Sequence, residues 1–327
     1  MTRYSMAQTI NLALDSLLSE DHRTILIGED IGLNGGVFRV TSQLMEKYGE
    51  DRVIDSPLAE NMIAGLSIGM AMQGLKPIAE FQFLGFIYPA LEQIISHVSK
   101  MRYRTLSRLS CPIIFRTPYG GGLNAPEHHS ESTEGLFAQI PGLRVLTPST
   151  PAKAYSLMRA AFQSNDPVIF LEPTKLYHAS KQEITTFNDN ININTASIEN
   201  NGQHLTLISW GPMMVESRKI VSAYREHGIH IELIDLVSLQ PIDYDTIINS
   251  VLKTRRCVIV SEAANTVGVA SEIAYTIQEK LFNHLIAPVK RVNADHHVIP
   301  YYKLESMYRP NINKISKVIN QVLAWKN

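Results

Sequence analysis

The apolar positions of the first half of the chain alternate between two periodicities, one typical of helices and one typical of buried strands. Residues 6–18 place Ile10, Leu14 and Leu17 on one side of a helix, whereas residues 24–28 form a short apolar run that ends in glycine. The same patterns predict helices at 60–72, 87–104 and 152–163, and strands at 77–81, 112–116, 143–146 and 168–171. This alternation predicts a mostly parallel sheet with helices on both faces.

The second half of the chain repeats the α/β pattern after a segment of different character. Residues 180–202 are rich in Asn and Thr and lack helical periodicity, which indicates a crossing between two domains with one short strand. Beyond them the pattern predicts strands at 205–209, 231–235, 257–261 and 288–292, and helices at 214–227, 244–252, 271–282 and 312–325. We therefore expect a first domain at 1–185, a linker at 186–203 and a second domain at 204–327.

Composition and charge exclude several protein classes. The 327 residues carry 30 Lys and Arg against 31 Asp and Glu, which gives a net charge of −1. This charge does not favour nucleic-acid binding, which needs a basic surface. Only 19% of residues are charged, which suggests that a partner covers part of the surface. Cys111 and Cys257 lie beside apolar runs and are expected to be core thiols in a reducing compartment.

Targeting signals are not evident either. No apolar run approaches the ~20 residues of a membrane span, and we expect no membrane association. The N-terminus resembles neither a secretory signal nor a transit peptide. We therefore expect a cytoplasmic protein, or one of the mitochondrial matrix if a presequence was removed.

A glycine-rich loop follows the strand predicted at 112–116. Gly120, Gly122 and Ala125 loosely fit the glycine positions of a dinucleotide-binding fingerprint, but Pro126 and Glu127 follow where helix-packing residues are needed. A surface loop that is flexible or that closes on a ligand is the favoured interpretation. An NAD-dependent oxidoreductase stays open as an alternative function of a different class.

Titratable side chains are dense at residues 127–131. Adjacent histidines point in different directions, so His128 and His129 fit a metal site poorly. A catalytic histidine beside glycines is more attractive, because imidazole titrates near neutral pH. Solvated loop histidines remain the alternative, and they are the favoured interpretation of the second doublet, His296 and His297.

The segment from Ser56 to Glu60 predicts the start of a helix, with Ser56 as N-cap and Pro57 at the first helical position. Glu60 would then lie in the first turn, where the helix dipole stabilises a carboxylate. The residues that follow are apolar or small, so we also expect this carboxyl group to be desolvated, as an acid–base group is.

Taken together, these segments resemble the beta subunits of the decarboxylating component of 2-oxo acid dehydrogenase complexes, and most closely those of the pyruvate dehydrogenase type. The resemblance extends over residues 6–325 and rests on ordered matches at 28–30, 53–60, 79–83, 102–104, 118–122, 129–130, 141–143, 148–151, 166–168 and 171–173. It implies a thiamine-diphosphate-binding fold, with a transketolase-like pyrimidine-binding domain followed by a transketolase C-terminal domain.

The same resemblance implies an alpha2-beta2 heterotetramer in which the alpha subunit holds Mg²⁺ and the diphosphate. This chain contains no GDG tripeptide and no GxxxxGK[ST] loop, so it shows no phosphate-anchoring motif of its own. The implied reactions are oxidative decarboxylation of pyruvate and acylation of the lipoyl group of a dihydrolipoyl acyltransferase core. Branched-chain 2-oxo acids (2-oxoisovalerate) and acetoin are alternative substrates, and a non-catalytic assembly subunit is a further alternative.

Roles for individual residues follow from the resemblance. Glu60 matches the glutamate that hydrogen-bonds N1′ of the aminopyrimidine and controls a proton there. Phe86 matches the aromatic residue that stacks on this ring, and Leu58 and Gln82 match positions that line it. His129 matches a histidine that assists acyl transfer to lipoamide, and the neighbouring His128 leaves the register open by one residue.

The resemblance also implies a potassium ion in some relatives, bound through main-chain carbonyl groups. The matching positions in this chain are Ile113, Ala161, Ser164 and Asp166. Ser164 replaces an aspartate that is common at its position.

Overall fold

Two mostly parallel β-sheets, each flanked by helices, organise the chain in the computed structural model, which describes residues 3–179, 181–187 and 191–326. Residues 180 and 188–190 of the predicted crossing therefore lie outside the described residues. The strands are β1 (Arg3–Tyr4), β2 (Thr24–Gly28), β3 (Val53–Asp55), β4 (Lys76–Glu80), β5 (Ile114–Tyr119), β6 (Arg144–Leu146), β7 (Val168–Pro173), β8 (Gln182–Glu183), β9 (Ser197–Asn200), β10 (Leu205–Ser209), β11 (Ile231–Asp235), β12 (Ser238–Gln240), β13 (Cys257–Ala264) and β14 (Lys290–Ala294).

The α-helices cover both sheets and alternate with the strands along the chain. They are α1 (Met6–Glu20), α2 (Leu44–Tyr48), α3 (Glu60–Met72), α4 (Met101–Arg104), α5 (Glu134–Ala138), α6 (Pro151–Phe162), α7 (Met214–Glu226), α8 (Tyr244–Thr254), α9 (Val269–Leu281), α10 (Glu305–Tyr308) and α11 (Ile312–Leu323). This arrangement confirms the predicted α/β class with parallel sheets and helices on both faces.

The first sheet has the strand order β12-β6-β7-β5-β4-β2-β3, and every neighbouring pair is parallel except β12 with β6. Successive residues of each strand point to opposite faces. On β4, Ile78 packs with α1 and α6, whereas Ala79 packs with α3. Both faces are therefore covered, which explains why these strands read as continuous apolar runs.

The second sheet has the order β14-β13-β10-β11-β9, with β9 antiparallel at its edge. β9 falls inside the predicted linker at 186–203 and pairs with β11. In the other direction, β12 comes from the second half of the chain but pairs with β6 of the first sheet. One apolar cluster also contains Phe115 of the first sheet together with Ile208 of β10 and Trp210 just after it, so the two halves share a core.

Three predicted elements differ from the observed ones. Helix α3 begins at Glu60 with Ala59 as its cap and no side-chain cap hydrogen bond, so the predicted N-cap at Ser56 is wrong. The helix predicted at 87–104 is broken into short helical turns, the first of which contains Pro89. β5 continues through Pro118, because its pairing with β4 ends at Arg116 and the proline therefore interrupts no ladder on that side.

The cysteines are placed as the sequence predicts. Cys111 and Cys257 are both buried and free, and burial raises the pKa of Cys111 to about 12 and that of Cys257 further still. Within the described part of the chain, no helix has the length and apolar character needed to cross a bilayer.

Glu134 links the two halves of the molecule and carries a pH prediction. Its buried carboxyl group accepts a hydrogen bond from Trp210 Nε1 at 3.0 Å, and burial raises its pKa to about 7 from an ordinary 4.5. The folded state therefore binds this proton more tightly than the unfolded state does. We expect the free energy of unfolding to fall by about 3 kcal/mol as the pH rises from about 4.5 to about 7.

Denaturant unfolding of the protein and of a Glu134→Gln variant, at several pH values in this range, tests the prediction. Gln keeps the shape and an acceptor for Trp210 but cannot ionise, so the variant should lose this part of the pH dependence. Identical pH profiles of the two proteins would contradict it.

Candidate active site at the carboxyl ends of the first sheet

The predicted ring-binding residues lie at the carboxyl end of the first sheet. Strands β2, β3 and β4 are parallel neighbours, and Glu29, Glu60 and Gln82 follow them in turn along the chain. The carboxyl ends of parallel strands meet at one edge, where ligands of open α/β sheets bind. Helix α3, which starts at Glu60, packs against the helical turn Tyr88–Ala90 that follows Phe86. The fold thus brings together residues that are far apart in sequence.

Glu60 is the first residue of α3 and retains part of its surface exposed in the single chain. The desolvation expected from the sequence is therefore incomplete in the chain alone. Burial, followed by the charges of Asp30 and Glu60, raises the pKa of Glu29. The carboxyl group that follows β2 therefore lies close enough to the start of α3 to be affected by its charge. Sequence analysis gave Glu29 and Asp30 no role, although both directly follow the glycine that ends β2.

Beside Glu60 lies an open apolar face of α3. Leu58 is 72% exposed, and Met62 and Leu66 also present large exposed side chains. A Cβ added at Gly65 or Gly69 would meet no atom within 4 Å among the described residues. Adjoining apolar side chains of this kind mark an interaction surface, which agrees with the partner expected from the low charged fraction.

Gln82 follows β4 and is half-buried, and its side chain points toward the same carboxyl edge of the first sheet. Its Nε2 lies 3.5 Å from Asp30 Oδ2, so the amide reaches across from β4 to the residues that follow β2. Asp55, at the end of β3, in turn accepts hydrogen bonds from the amides of Gly32 at 2.5 Å and Leu33 at 3.1 Å. These contacts fix the loop that follows Asp30 against the carboxyl end of β3.

His129 lies in an aromatic cluster with Phe83 and Phe86. Its ring centroid is 4.5 Å from that of Phe83 and 5.1 Å from that of Phe86, in edge-on arrangements. Gly85 permits this packing, because a Cβ there would lie 2.3 Å from the carbonyl oxygen of His128. His128 instead points outward, 61% exposed, and contacts Glu127 at 3.2 Å. The structure therefore brings His129, and not His128, to the candidate site.

Three polar atoms around this site are buried without a hydrogen-bond partner among the described residues. They are Nδ1 of His129 and the hydroxyl oxygens of Ser130 and Ser56. An unpaired buried polar atom is costly, and native proteins rarely leave one without a ligand, water or partner. Of these three atoms, Nδ1 of His129 belongs to a predicted site residue, and it is free to contact a bound group.

The four positions of the predicted potassium site lie at the opposite end of the first sheet. Ile113 precedes β5, and the other three lie between the last turn of α6 and the start of β7. The carbonyl of Ile113 accepts from Val168 N at 2.9 Å, that of Ala161 from Ser164 N at 3.0 Å, and that of Asp166 from Ser164 Oγ at 2.9 Å. The Ala161 carbonyl also accepts from the backbone amide of Gln163 at the end of α6. The Asp166 carboxylate is bound by Arg102 at 2.6 Å. In the described ranges, no cluster of three or more His, Cys, Asp or Glu side chains is arranged to hold a metal ion.

The glycine-rich loop is not built to bind a dinucleotide. The amides of Gly121, Gly122 and Asn124 already donate to carboxylates of Glu262 and Glu305. The loop leads into a short 3₁₀ turn, Glu127–His129, and not into a helix that could receive a pyrophosphate. Both features argue against the NAD alternative.

Comparison with known proteins agrees with this architecture. Residues 2–179 match the family described as "Transketolase, pyrimidine binding domain", and residues 194–315 match "Transketolase, C-terminal domain". The chain is 42% identical over 322 residues to "Pyruvate dehydrogenase E1 component subunit beta" of Acholeplasma laidlawii, covering 98% of each. It is 41% identical over 325 residues to the protein of the same name from Bacillus subtilis, covering 99% of this chain and 100% of the relative.

A solved structure shares the fold over the whole length. This is "Split gene transketolase, inactive beta4 tetramer", with a TM-score of 0.82, 18% sequence identity and coverage of 100% of both chains. At this identity the similarity establishes the fold alone.

Proposed function

The chain belongs to the family of pyruvate dehydrogenase E1 component beta subunits, and from this premise we propose that it forms half of a thiamine diphosphate site that decarboxylates pyruvate and acylates a lipoyl group. The observation that carries the proposal is the grouping at one sheet edge of Glu60, Phe86 and His129, with Nδ1 of His129 buried and unpaired. Titratable groups that converge beside unsatisfied polar atoms are what an enzyme site requires.

The residues present fit the aminopyrimidine half of thiamine diphosphate. Glu60 offers a carboxyl group, Leu58 an exposed apolar side chain, Phe86 a half-buried aromatic face and Gln82 an amide. A flat, partly polar ring needs these types of contact. When bound, thiamine diphosphate supplies the electron sink for decarboxylation of a 2-oxo acid.

The chemical work of this chain is proton control and orientation. Glu60, at the N-terminus of α3, would hold or release a proton at its carboxyl group on the pyrimidine side. The nearby carboxyl of Glu29, whose pKa is raised, disfavours further negative charge beside it. His129 would exchange a proton at Nδ1 during acyl transfer, with its ring held by Phe83 and Phe86.

The other half of the site belongs to an alpha subunit in this proposal. The chain has no GDG motif, and α3 leaves an apolar face uncovered next to Glu60. We therefore assign Mg²⁺ and the diphosphate to the alpha subunit of an alpha2-beta2 heterotetramer, which delivers acyl groups to a dihydrolipoyl acyltransferase core. The proposal also includes a potassium ion at the main-chain carbonyls of Ile113, Ala161, Ser164 and Asp166. It includes a cytoplasmic location, and the relatives compared are bacterial.

A substrate panel on the assembled enzyme tests this function. The chain is co-expressed with its alpha subunit. CO₂ release is measured from pyruvate and 2-oxoisovalerate, and acetaldehyde release is measured from acetoin, with and without thiamine diphosphate. We expect pyruvate to have the highest kcat/KM and all turnover to depend on the cofactor.

Preference for 2-oxoisovalerate or acetoin would identify the chain as a beta subunit of a branched-chain 2-oxo acid dehydrogenase or of an acetoin dehydrogenase. Turnover without thiamine diphosphate, or reduction of NAD by this chain alone, would contradict the proposal. The beta chain without alpha serves as the negative control.

A further inference from the structure

The loop that carries His129 is attached to the second domain by buried carboxylates. Its base is closed by a hydrogen bond from Gly120 N to Glu131 O at 2.8 Å. Near its tip, Gly121 N donates to Glu262 Oε1 at 2.5 Å and Asn124 N donates to Glu305 Oε2 at 3.0 Å. Gly122 N donates to the other oxygen of Glu305. Glu262 lies near the end of β13 and Glu305 begins α10, so both belong to the second half of the chain.

Arg309 joins these two carboxylates into one buried cluster. Its guanidinium donates to Glu262 at 2.8 Å and to Glu305 at 3.2 Å. Glu262, Glu305 and Arg309 are 5%, 1% and 8% exposed. One cation therefore faces two anions, and the amide dipoles of the loop supply the remaining positive potential. If either the carboxylates or the positive groups that face them were removed, the remaining buried charge would be without compensation.

The contact between the loop and Glu305 requires a glycine at position 121. A Cβ added at position 121 would lie 2.4 Å from Glu305 Oε1, so a side chain there would push the carboxylate away. Gly122 has a φ of +118°, and a Cβ there would lie 2.8 Å from the Cβ of Lys175. Most residues between 122 and 128 are partly or fully exposed, so the loop has few apolar contacts to hold it otherwise.

We propose that Glu262, Glu305 and Arg309 are positioning residues for acyl transfer, which hold the 120–131 loop so that His129 stays against Phe83 and Phe86. The chain between Asn124 and His129 is short, and a hydrogen bond from His129 N to Pro126 O at 2.9 Å holds its backbone. The contact at Asn124 therefore bears on the position of His129. The inference rests on the proposed role of His129. It assigns to the second domain a part in the chemistry of the first.

Two variants test the contact from opposite sides in the enzyme assembled with its alpha subunit. Glu305→Gln replaces one acceptor oxygen by an NH₂ group that cannot accept from the loop, and Gly121→Ala displaces the carboxylate from the loop side. Glu226→Gln, on an exposed position of α7, is the matched control for loss of one carboxylate. Hydrogen exchange at the amides of 121–124 is measured together with two activities, decarboxylation with an artificial electron acceptor and acylation of a free lipoyl domain.

We expect both variants to exchange these amides faster and to lose about tenfold or more in kcat for lipoyl acylation, because displaced catalytic groups lose their alignment. The KM for the lipoyl domain and the rate of decarboxylation should be unchanged, as should all readouts of Glu226→Gln. Faster exchange without loss of acylation, or an equal loss in both activities, would overturn the inference.

A His129→Ala variant assayed in parallel separates this inference from the proposed function. If His129→Ala loses acylation while the two contact variants retain it, the positioning role is wrong and the role of His129 stands. If His129→Ala retains acylation, the proposed role of His129 is wrong, and the inference is overturned with it.

Discussion

Glu60→Gln is expected to lower the turnover of pyruvate decarboxylation about 100-fold or more in the enzyme assembled with its alpha subunit, since general acid–base groups contribute at least this factor. Gln has the size of Glu and can still hydrogen-bond to a ring nitrogen, but it cannot hold and release the proton. The loss should therefore fall on kcat. Steady-state CO₂ release at saturating pyruvate and thiamine diphosphate measures it.

The affinity for thiamine diphosphate, measured by calorimetry on the same assembled enzyme, separates proton control from binding. We expect the affinity to change little. Glu46→Gln, an exposed glutamate of α2 in the same domain, is the matched control and should behave as the unmodified enzyme does. Full activity of Glu60→Gln would favour an assembly subunit without a catalytic role, and a loss confined to affinity would make Glu60 a binding group only.

Sequence reasoning reaches Glu60 because the signal there is local. A helix begins at this residue, a strand precedes it and apolar residues follow it, and all three features can be read from one short segment. The exact start was wrong because Ser56 suggests an N-cap. In the structure Ser56 N donates to Gly28 O at 2.9 Å, so this residue extends the contact between β2 and β3 and does not cap α3.

The buried charges could not be predicted in this way, because their partners are far apart in sequence. Arg116 on β5 binds Glu80 on β4 and Glu172 on β7, across separations of 36 and 56 residues. All three side chains are almost fully buried. Each looks like an ordinary charged residue of a strand, and only the order of strands in the sheet shows that Arg116 lies between the two carboxylates.

Sequence patterns also could not predict how the two halves of the chain contact each other. Periodicity predicts two α/β units, but it does not show that β12 crosses into the first sheet or that Trp210 donates to Glu134. These contacts make the second domain a structural support of the first. The carboxylates that bind the 120–131 loop belong to the same set of contacts, which is why His129 is affected by residues near position 305.

His129→Ala should reduce acylation of the lipoyl domain about 100-fold, while decarboxylation with an artificial electron acceptor is largely retained. The imidazole has an unpaired Nδ1 within the site and lies edge-on against Phe86, so its removal deletes a proton donor or acceptor without altering Glu60. Both rates are measured on one preparation of the assembled enzyme, with a free lipoyl domain as acyl acceptor in the first assay.

His128→Ala is the control that decides between the adjacent histidines. Its side chain is 61% exposed and contacts Glu127, so its loss should leave both activities unchanged. A His129→Asn variant keeps a hydrogen-bonding group of similar reach but cannot be protonated near neutral pH. If Asn restores acylation, His129 acts by hydrogen bonding, and if it does not, the ability to carry a proton is what the reaction needs. Equal losses in both assays for His129→Ala would assign the residue to the site as a whole and remove its specific role in transfer.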